Sequence, residues 1–308
     1  MSVVATTPAP ALPRQSAIVG VGMLIVAVFL FAVMNATTKS LSVLYAVPVI
    51  MAVRYGVQTL LMVLLVVPQR GWRAFATQRT GMVALRAIAL VASSLLLGLA
   101  LKVMPVAETA AIIFLAPILV VLTAGPLLGE TIGWAGWLAA LTGFTGVLLI
   151  IRPGSGLDPF GVVFASLNII GTVIYQLMSR SLSKTESTLG LLFSTAITGA
   201  LVFGAMLPFT WGGPPLSLQS GLLMVSLGVT GGLGHFLFTA AYRRAPASLL
   251  SPVNYLELVW AGLIGWVVFQ HLPEPLTAFG MAIVAASGIL VAIRSARMSR
   301  TQTPRSPK

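Results

Sequence analysis

Two charged residues sit where a charge is expensive. Arg54 lies in "MAVRYGVQ" and Glu257 in "SPVNYLELVWAGLIGWVVFQ", each about ten residues into an apolar run. On insertion scales a charge at the centre of such a run costs about 2.5–3.5 kcal/mol, so it must face a wet cavity, meet an opposite charge, or be neutralised. A guanidinium there can grip a carboxylate with two parallel hydrogen bonds. Asn254 at i−3 and Trp260 at i+3 share the helical face of Glu257, offering an amide, a carboxyl group and an aromatic plate to a solute. Tyr55 and Gln58 border Arg54 in the same way. The expectation is a solute site built from Arg54, Tyr55, Gln58, Asn254, Glu257 and Trp260, with Arg54 and Glu257 as partners and Asn35 and Tyr175 adding polarity.

The other polar residues inside apolar runs have a bland reading beside each functional one. Glu108 opens a helix, where a carboxylate complements the helix dipole; it could also recruit protons or a cationic solute. His235 is the only histidine inside a run and could relay protons, or simply pack. Glu257, Glu108 and His235 are thus the candidates for proton coupling. Arg86, six residues into its run, is expected to snorkel to the interface. Asn168 and Gln176 are expected to hydrogen-bond between helices, as Asn35 and Tyr175 could also do.

No phosphate-binding loop, HExxH zinc pair or GxSxG elbow occurs. With six acids, two histidines and no cysteine, the chain points to no enzyme, no metal site and no cofactor.

The elements that must position these residues follow from composition. Of 308 residues, 57% are hydrophobic and 8% charged, with mean hydropathy +1.01. A soluble domain carries about 25% charge, so the fold class is an all-α integral membrane protein in a lipid bilayer. Apolar runs predict ten spans, at about 17–37, 45–68, 80–101, 106–128, 132–151, 160–179, 188–209, 220–242, 247–270 and 277–293. The N-terminal segment lacks a basic region before its first run and is read as a short disordered tail over 1–16, not a cleaved signal. A basic tail is expected over 295–308.

The net charge of +12 does not imply nucleic acid, because the cations flank the spans. Thirteen Lys and Arg fall on the side of the N-terminus and three on the other, with Arg54 and Arg86 inside spans. Both termini are therefore expected in the cytoplasm, at the inner membrane.

A self-comparison adds an internal repeat. "ALKVMPVAETAAIIFLAPILVVLTAGPLLGE" from Ala100 matches "AYRRAPASLLSPVNYLELVWAGLIGWVVFQ" from Ala241. Lys102 pairs with Arg243, Pro105 with Pro246, Phe114-Leu115 with Tyr255-Leu256 and, after a three-residue shift, Glu130 with Glu274. Two five-span halves result, 17–152 and 153–294. Because five is odd, the second enters the bilayer inverted, an arrangement that recurs in carriers that open alternately to each side. Glycines at four-residue spacing, Gly125 to Gly129 and Gly228 to Gly232, predict close helix packing.

At these residues, and over about 17–294, the chain resembles the EamA family of the drug/metabolite transporter superfamily. The resemblance implies ten helices in two inverted five-helix repeats, and ATP-independent movement of a small organic metabolite. Within the family, "RPG" and "AETAAIIFLAP" are most similar to members assigned as S-adenosylmethionine or riboflavin uptake carriers. Second halves of the family often read Tyr-Leu-Glu-Pro; here Leu258 replaces the proline, whereas the first half keeps Pro117. A weakened helix is therefore expected in the first half only.

The expected function is secondary transport of an amino-acid-like, nucleoside-like or vitamin-like solute. The alternatives are an exporter of several solutes or drugs, a channel-like pore, and a non-transporting membrane subunit. No nucleic-acid partner is implied, and monomer and homodimer both stay open.

Overall fold

The computed structural model describes residues 14–116, 118–120, 122–123, 134–152, 155–182, 185–244, 250 and 253–301. Gly125, Gly129 and Glu130, along with Pro117 and Pro246, lie outside these. The described residues form ten α-helices and no strand. They are α1 (Arg14–Ser42), α2 (Val47–Arg70), α3 (Thr80–Val103), α4 (Val106–Ile113), α5 (Trp134–Ile150), α6 (Pro159–Leu182), α7 (Thr188–Thr210), α8 (Leu218–Arg244), α9 (Leu256–Phe269) and α10 (Pro275–Thr301). A 3₁₀ turn, Trp72–Phe75, follows α2.

Six of the helices are long and apolar enough to cross a membrane. Their outer faces are apolar too, with Phe209 89% and Phe160 72% exposed, as a lipid-facing surface requires. The ends differ from the sequence reading in places: the chain is already helical at Arg14, and α10 continues to Thr301, past the expected end of its span at 293.

The packing repeats with a shift of five helices. α1 lies against α8 as α6 lies against α3; α2 lies against α8 as α7 lies against α3; α1 meets α9 as α6 meets α4. Two contacts map onto themselves, α2 with α7 and α5 with α10. This is the signature of two inverted five-helix repeats, and the largest contacts cross from one half to the other.

Bare backbone permits the close crossings. At Gly146 and Gly280 the α5 and α10 backbones touch, so that a Cβ on either would meet the other's carbonyl oxygen at 2.8 or 2.7 Å. At Gly228 a Cβ would strike Val57 of α2, as the glycine spacing predicts.

Connections gather at two ends. At the far end the α1–α2 segment meets the α3–α4 and α7–α8 turns, through Lys39 to Met104 and Gly213 to Leu44 and Tyr45. The α4 helix and the α5–α6 turn meet the α9–α10 turn there, through Glu108 to His271 and Arg152 to Glu274. At the opposite, termini end the α2–α3 and α6–α7 segments meet, through Gln78 and Arg79 to Glu186.

The asymmetry expected between the halves is not found. The chain leaves the helix at Phe114-Leu115 after α4, and it also turns at Tyr255 before α9. Pro117 explains the first break, since a proline cannot donate to a carbonyl four residues back. The second occurs without a proline at 258: the N–H of Leu258 donates instead to the Tyr255 carbonyl, three residues back at 3.1 Å. The two breaks are equivalent positions of the repeat, and their rings touch, Phe114 to Tyr255 with centroids 5.0 Å apart.

Candidate functional site

The residues singled out by sequence separate into three clusters. The first is a cleft between the halves, lined by Tyr55 and Gln58 of α2, Leu90 of α3, Tyr175 of α6, Leu192 and Thr195 of α7 and His235 of α8. It measures about 10 Å³ to a water-sized sphere, which is roughly room for a single water. Tyr55 is fixed on two sides. Its ring stacks on Phe203 and lies flat on the bare α7 backbone at Gly199, and its hydroxyl shares a 2.6 Å hydrogen bond with Ser94. His235 packs on Phe31 of α1, ring centroids 4.9 Å apart.

Arg54 and Arg86 stand beside this cleft, each only 4% exposed. The Arg54 guanidinium lies 5.1 Å from the Tyr55 ring centroid and against Gly231 of α8, where a Cβ would come within 3.3 Å of Nε. It donates to the Met51 sulfur at 3.7 Å, and its buried Nε has no hydrogen-bond partner among the described residues.

Arg86 is not the snorkelling residue that its place in the sequence suggested. Its Nε donates to Ser179 Oγ at 2.7 Å, Nη1 to the Leu191 carbonyl at 3.0 Å and Thr195 Oγ1 at 3.1 Å, and Nη2 to Tyr175 Oη at 3.1 Å. The physical reason is that α6 and α7 supply four neutral acceptors at its own depth, so the side chain need not reach for the interface. Sequence reasoning named Arg86 but not its role in this cluster, and it missed Thr195 altogether. Every one of Arg86's partners lies about ninety or more positions away, so no local spacing pointed to them.

The second cluster holds Glu257, and Arg54 is not part of it. Glu257 occupies the first turn of α9 and accepts a long, weak hydrogen bond from Asn35 Nδ2 at 3.4 Å. Trp260 packs edge-on against Phe29 of α1 at 5.1 Å, and its buried Nε1 has no hydrogen-bond partner among the described residues. Asn254 stands just before this turn and is partly buried. The expected Arg54–Glu257 pair does not form, and the geometry of α1 explains why. Met34 faces Gly231 and Arg54, while Asn35, about 100° further round the helix, faces Glu257.

The third cluster closes the far end. Glu108, 3% exposed, meets His271 Nε2 at 2.9 Å, so it does more than sit at a helix N-terminus. Lys39 Nζ donates to the Leu101 and Met104 carbonyls at 3.0 and 2.6 Å, capping the end of α3. Neither Lys39 nor His271 was singled out by sequence, because both fall at run ends where polar residues are ordinary. Asn168 does bond between helices, donating to the Ser93 carbonyl at 2.7 Å. Among the described residues no group of His, Asp and Glu could hold a metal.

Comparison with known proteins now adds to this geometry. The model of the EamA-like transporter family matches the chain twice, over residues 18–152 and 159–293. The chain belongs to the EamA-like transporter family. Among its relatives is the riboflavin transporter of Vibrio cholerae, 27% identical and aligned over 88% of this chain and 92% of the relative. Another is the pseudopaline exporter CntI of Pseudomonas aeruginosa PAO1, 26% identical over 92% and 96% of the two chains. A crystal structure with 21% identity superposes with a TM-score of 0.62, covering 94% of this chain and all of the other, which supports the fold. The EamA protein described here is thus a multi-pass membrane transporter of a small solute and not an enzyme.

Proposed function

We propose that this EamA transporter is a secondary carrier that moves a small organic metabolite across the inner membrane by alternating access. The observation that carries this reading is a small cleft between inverted halves, together with contacts from one half to the other at each end of the molecule. At the far end these are Glu108 with His271 and Arg152 with Glu274. At the termini end they are Glu186, accepting from the Gln78 and Arg79 N–H groups at 2.9 Å each, and Phe75 stacked on Phe193 at 4.0 Å. Contacts of this kind can be exchanged, one end parting while the other holds, when one half rocks against the other.

The repeats run over 17–152 and 153–294, both tails face the cytoplasm, and the thirteen-to-three bias of Lys and Arg supports that orientation. Tyr55, Gln58, Tyr175 and His235 line the solute path beside Arg54; Asn35, Asn254, Glu257 and Trp260 border it on the α1–α9 side. His235 in the cleft and Glu108 at the far end are the candidates for coupling to protons, with Glu257 a third.

Purified protein in proteoliposomes tests the reading. A carrier gives saturable uptake accelerated by solute on the opposite side; flux indifferent to that solute would make it a pore, and binding without flux a sensor or assembly subunit.

A further inference from the structure

The carrier reading leaves the chemical class of the cargo open, and the charges around the cleft bear on it. Arg54 and Arg86 are permanently cationic and buried. The Arg54 guanidinium lies 5.1 Å from the ring centroid of Tyr55, a lining residue, and Arg86 bonds two more, Tyr175 and Thr195. A buried charge needs compensation, so the acids can be followed one by one. Glu108 is held by His271, Asp158 accepts from the Gly161 N–H, Glu186 accepts from the Gln78 and Arg79 N–H groups, Glu257 accepts from Asn35, and Glu274 is spent on Arg152. Glu130, outside the described residues, is the sequence mate of Glu274.

Among the described residues, then, neither guanidinium has a carboxylate partner. Arg86 is solvated by hydroxyls and one carbonyl, and Arg54 by a thioether and an aromatic face, with its Nε bare.

We propose that the cargo is a small organic anion whose carboxylate or phosphate oxygens are drawn between Arg54 and Arg86, with Tyr55, Gln58, Tyr175 and Thr195 completing the hydrogen bonds. Arg86 reaches the cleft through the lining hydroxyls of Tyr175 and Thr195, and Arg54 stands beside it with an unpartnered Nε against Gly231. A fork of N–H groups suits an oxyanion, and the surrounding rings suit an apolar body. In the present structure the cleft admits about one water, so such a solute enters only when an end parts. The net positive wall repels cations and gives no reward to a neutral isostere.

The test uses full-length protein in proteoliposomes loaded with a whole-cell metabolite extract and bathed in the same extract uniformly labelled with heavy carbon, with exchanged species identified by mass spectrometry. Matched pairs then follow: an organic carboxylate against its primary amide, and a phosphate ester against its free alcohol. Exchange of anionic species, with discrimination against the amide or the alcohol, is the expected result, and the arm that discriminates tells carboxylate from phosphate cargo. Exchange confined to neutral or cationic species overturns the anion proposal and leaves the carrier standing; no exchange of any species overturns both.

Arg54→Gln and Arg86→Gln should each lower exchange of the anion by roughly tenfold or more, the loss of one charge-assisted hydrogen bond. In these variants the ratio of anionic to neutral species exchanged also falls. Arg54→Lys, which keeps the charge, retains the anion preference even if Arg86→Gln does not fold. An unchanged ratio in folded Arg54→Gln would contradict the proposal.

Discussion

Arg86 and Tyr55 show how one side chain comes to organise several helices. The Arg86 guanidinium ties α3 to α6 and α7 through Ser179, Tyr175, Leu191 and Thr195. Tyr55 ties α2 to α3 through Ser94 and rests on α7 at Gly199. Gly199→Val should therefore push the Tyr55 ring away and destabilise the protein by about 1–3 kcal/mol, the usual cost of overpacking. A fall in the thermal-unfolding midpoint checks this. Tyr55→Phe should cost only about 1 kcal/mol, because Ser94 keeps its 2.9 Å bond to the Leu90 carbonyl. Arg54 and its neighbours Tyr55 and Gln58 were legible in the sequence, because a charge deep in an apolar run has few reasons to be there. Arg86 was not, since a cation six residues from a run's end reads equally as snorkelling or as buried, and only its distant partners decide.

At the scale of elements, two broken helices meet at equivalent positions of the repeat. Phe114 ends α4 and Tyr255 precedes α9, with their rings in contact. A double-mutant cycle of Phe114→Ala and Tyr255→Ala should return a coupling of about 0.5–1.5 kcal/mol in unfolding measurements; additive effects would mean the breaks do not support one another. The repeat was visible as a matched motif, yet the second break was not. A proline advertises a break in the sequence, whereas the Leu258 N–H reaching only three residues back leaves no mark there.

The far-end latch is a second property of elements. Replacing Glu108 by Gln or His271 by Ala removes one side of the 2.9 Å contact that joins α4 to the α9–α10 turn. The chain has no cysteine, so an Asn35→Cys protein carries a single thiol. Reaction of that thiol with an impermeant maleimide added at the far end should speed up several-fold when the latch is weakened. An unchanged rate would show that Glu108 and His271 do not hold the end shut.

For the whole molecule, the decisive feature is that the largest contacts join one half to the other, α1 with α8, α3 with α6, α5 with α10. Neither half should therefore be stable alone, while the two together can slide along small-residue seams such as Gly146 on Gly280. The inverted architecture was readable from sequence because an odd number of spans per half and cations gathered on one side of the membrane leave one arrangement. The course of the cleft was not, because a contact between α2 and α7 has no local spacing to reveal it.

Spin-label distances across the two ends test the central claim most directly. One pair, Lys102→Cys with Leu272→Cys, spans the far end, and another, Trp72→Cys with Thr185→Cys, spans the termini end; all four residues are exposed. In proteoliposomes the account predicts a short and a long distance at each end, with conditions that lengthen one shortening the other. Both ends long at once, or one fixed distance at each end in a protein that is transporting, would contradict it.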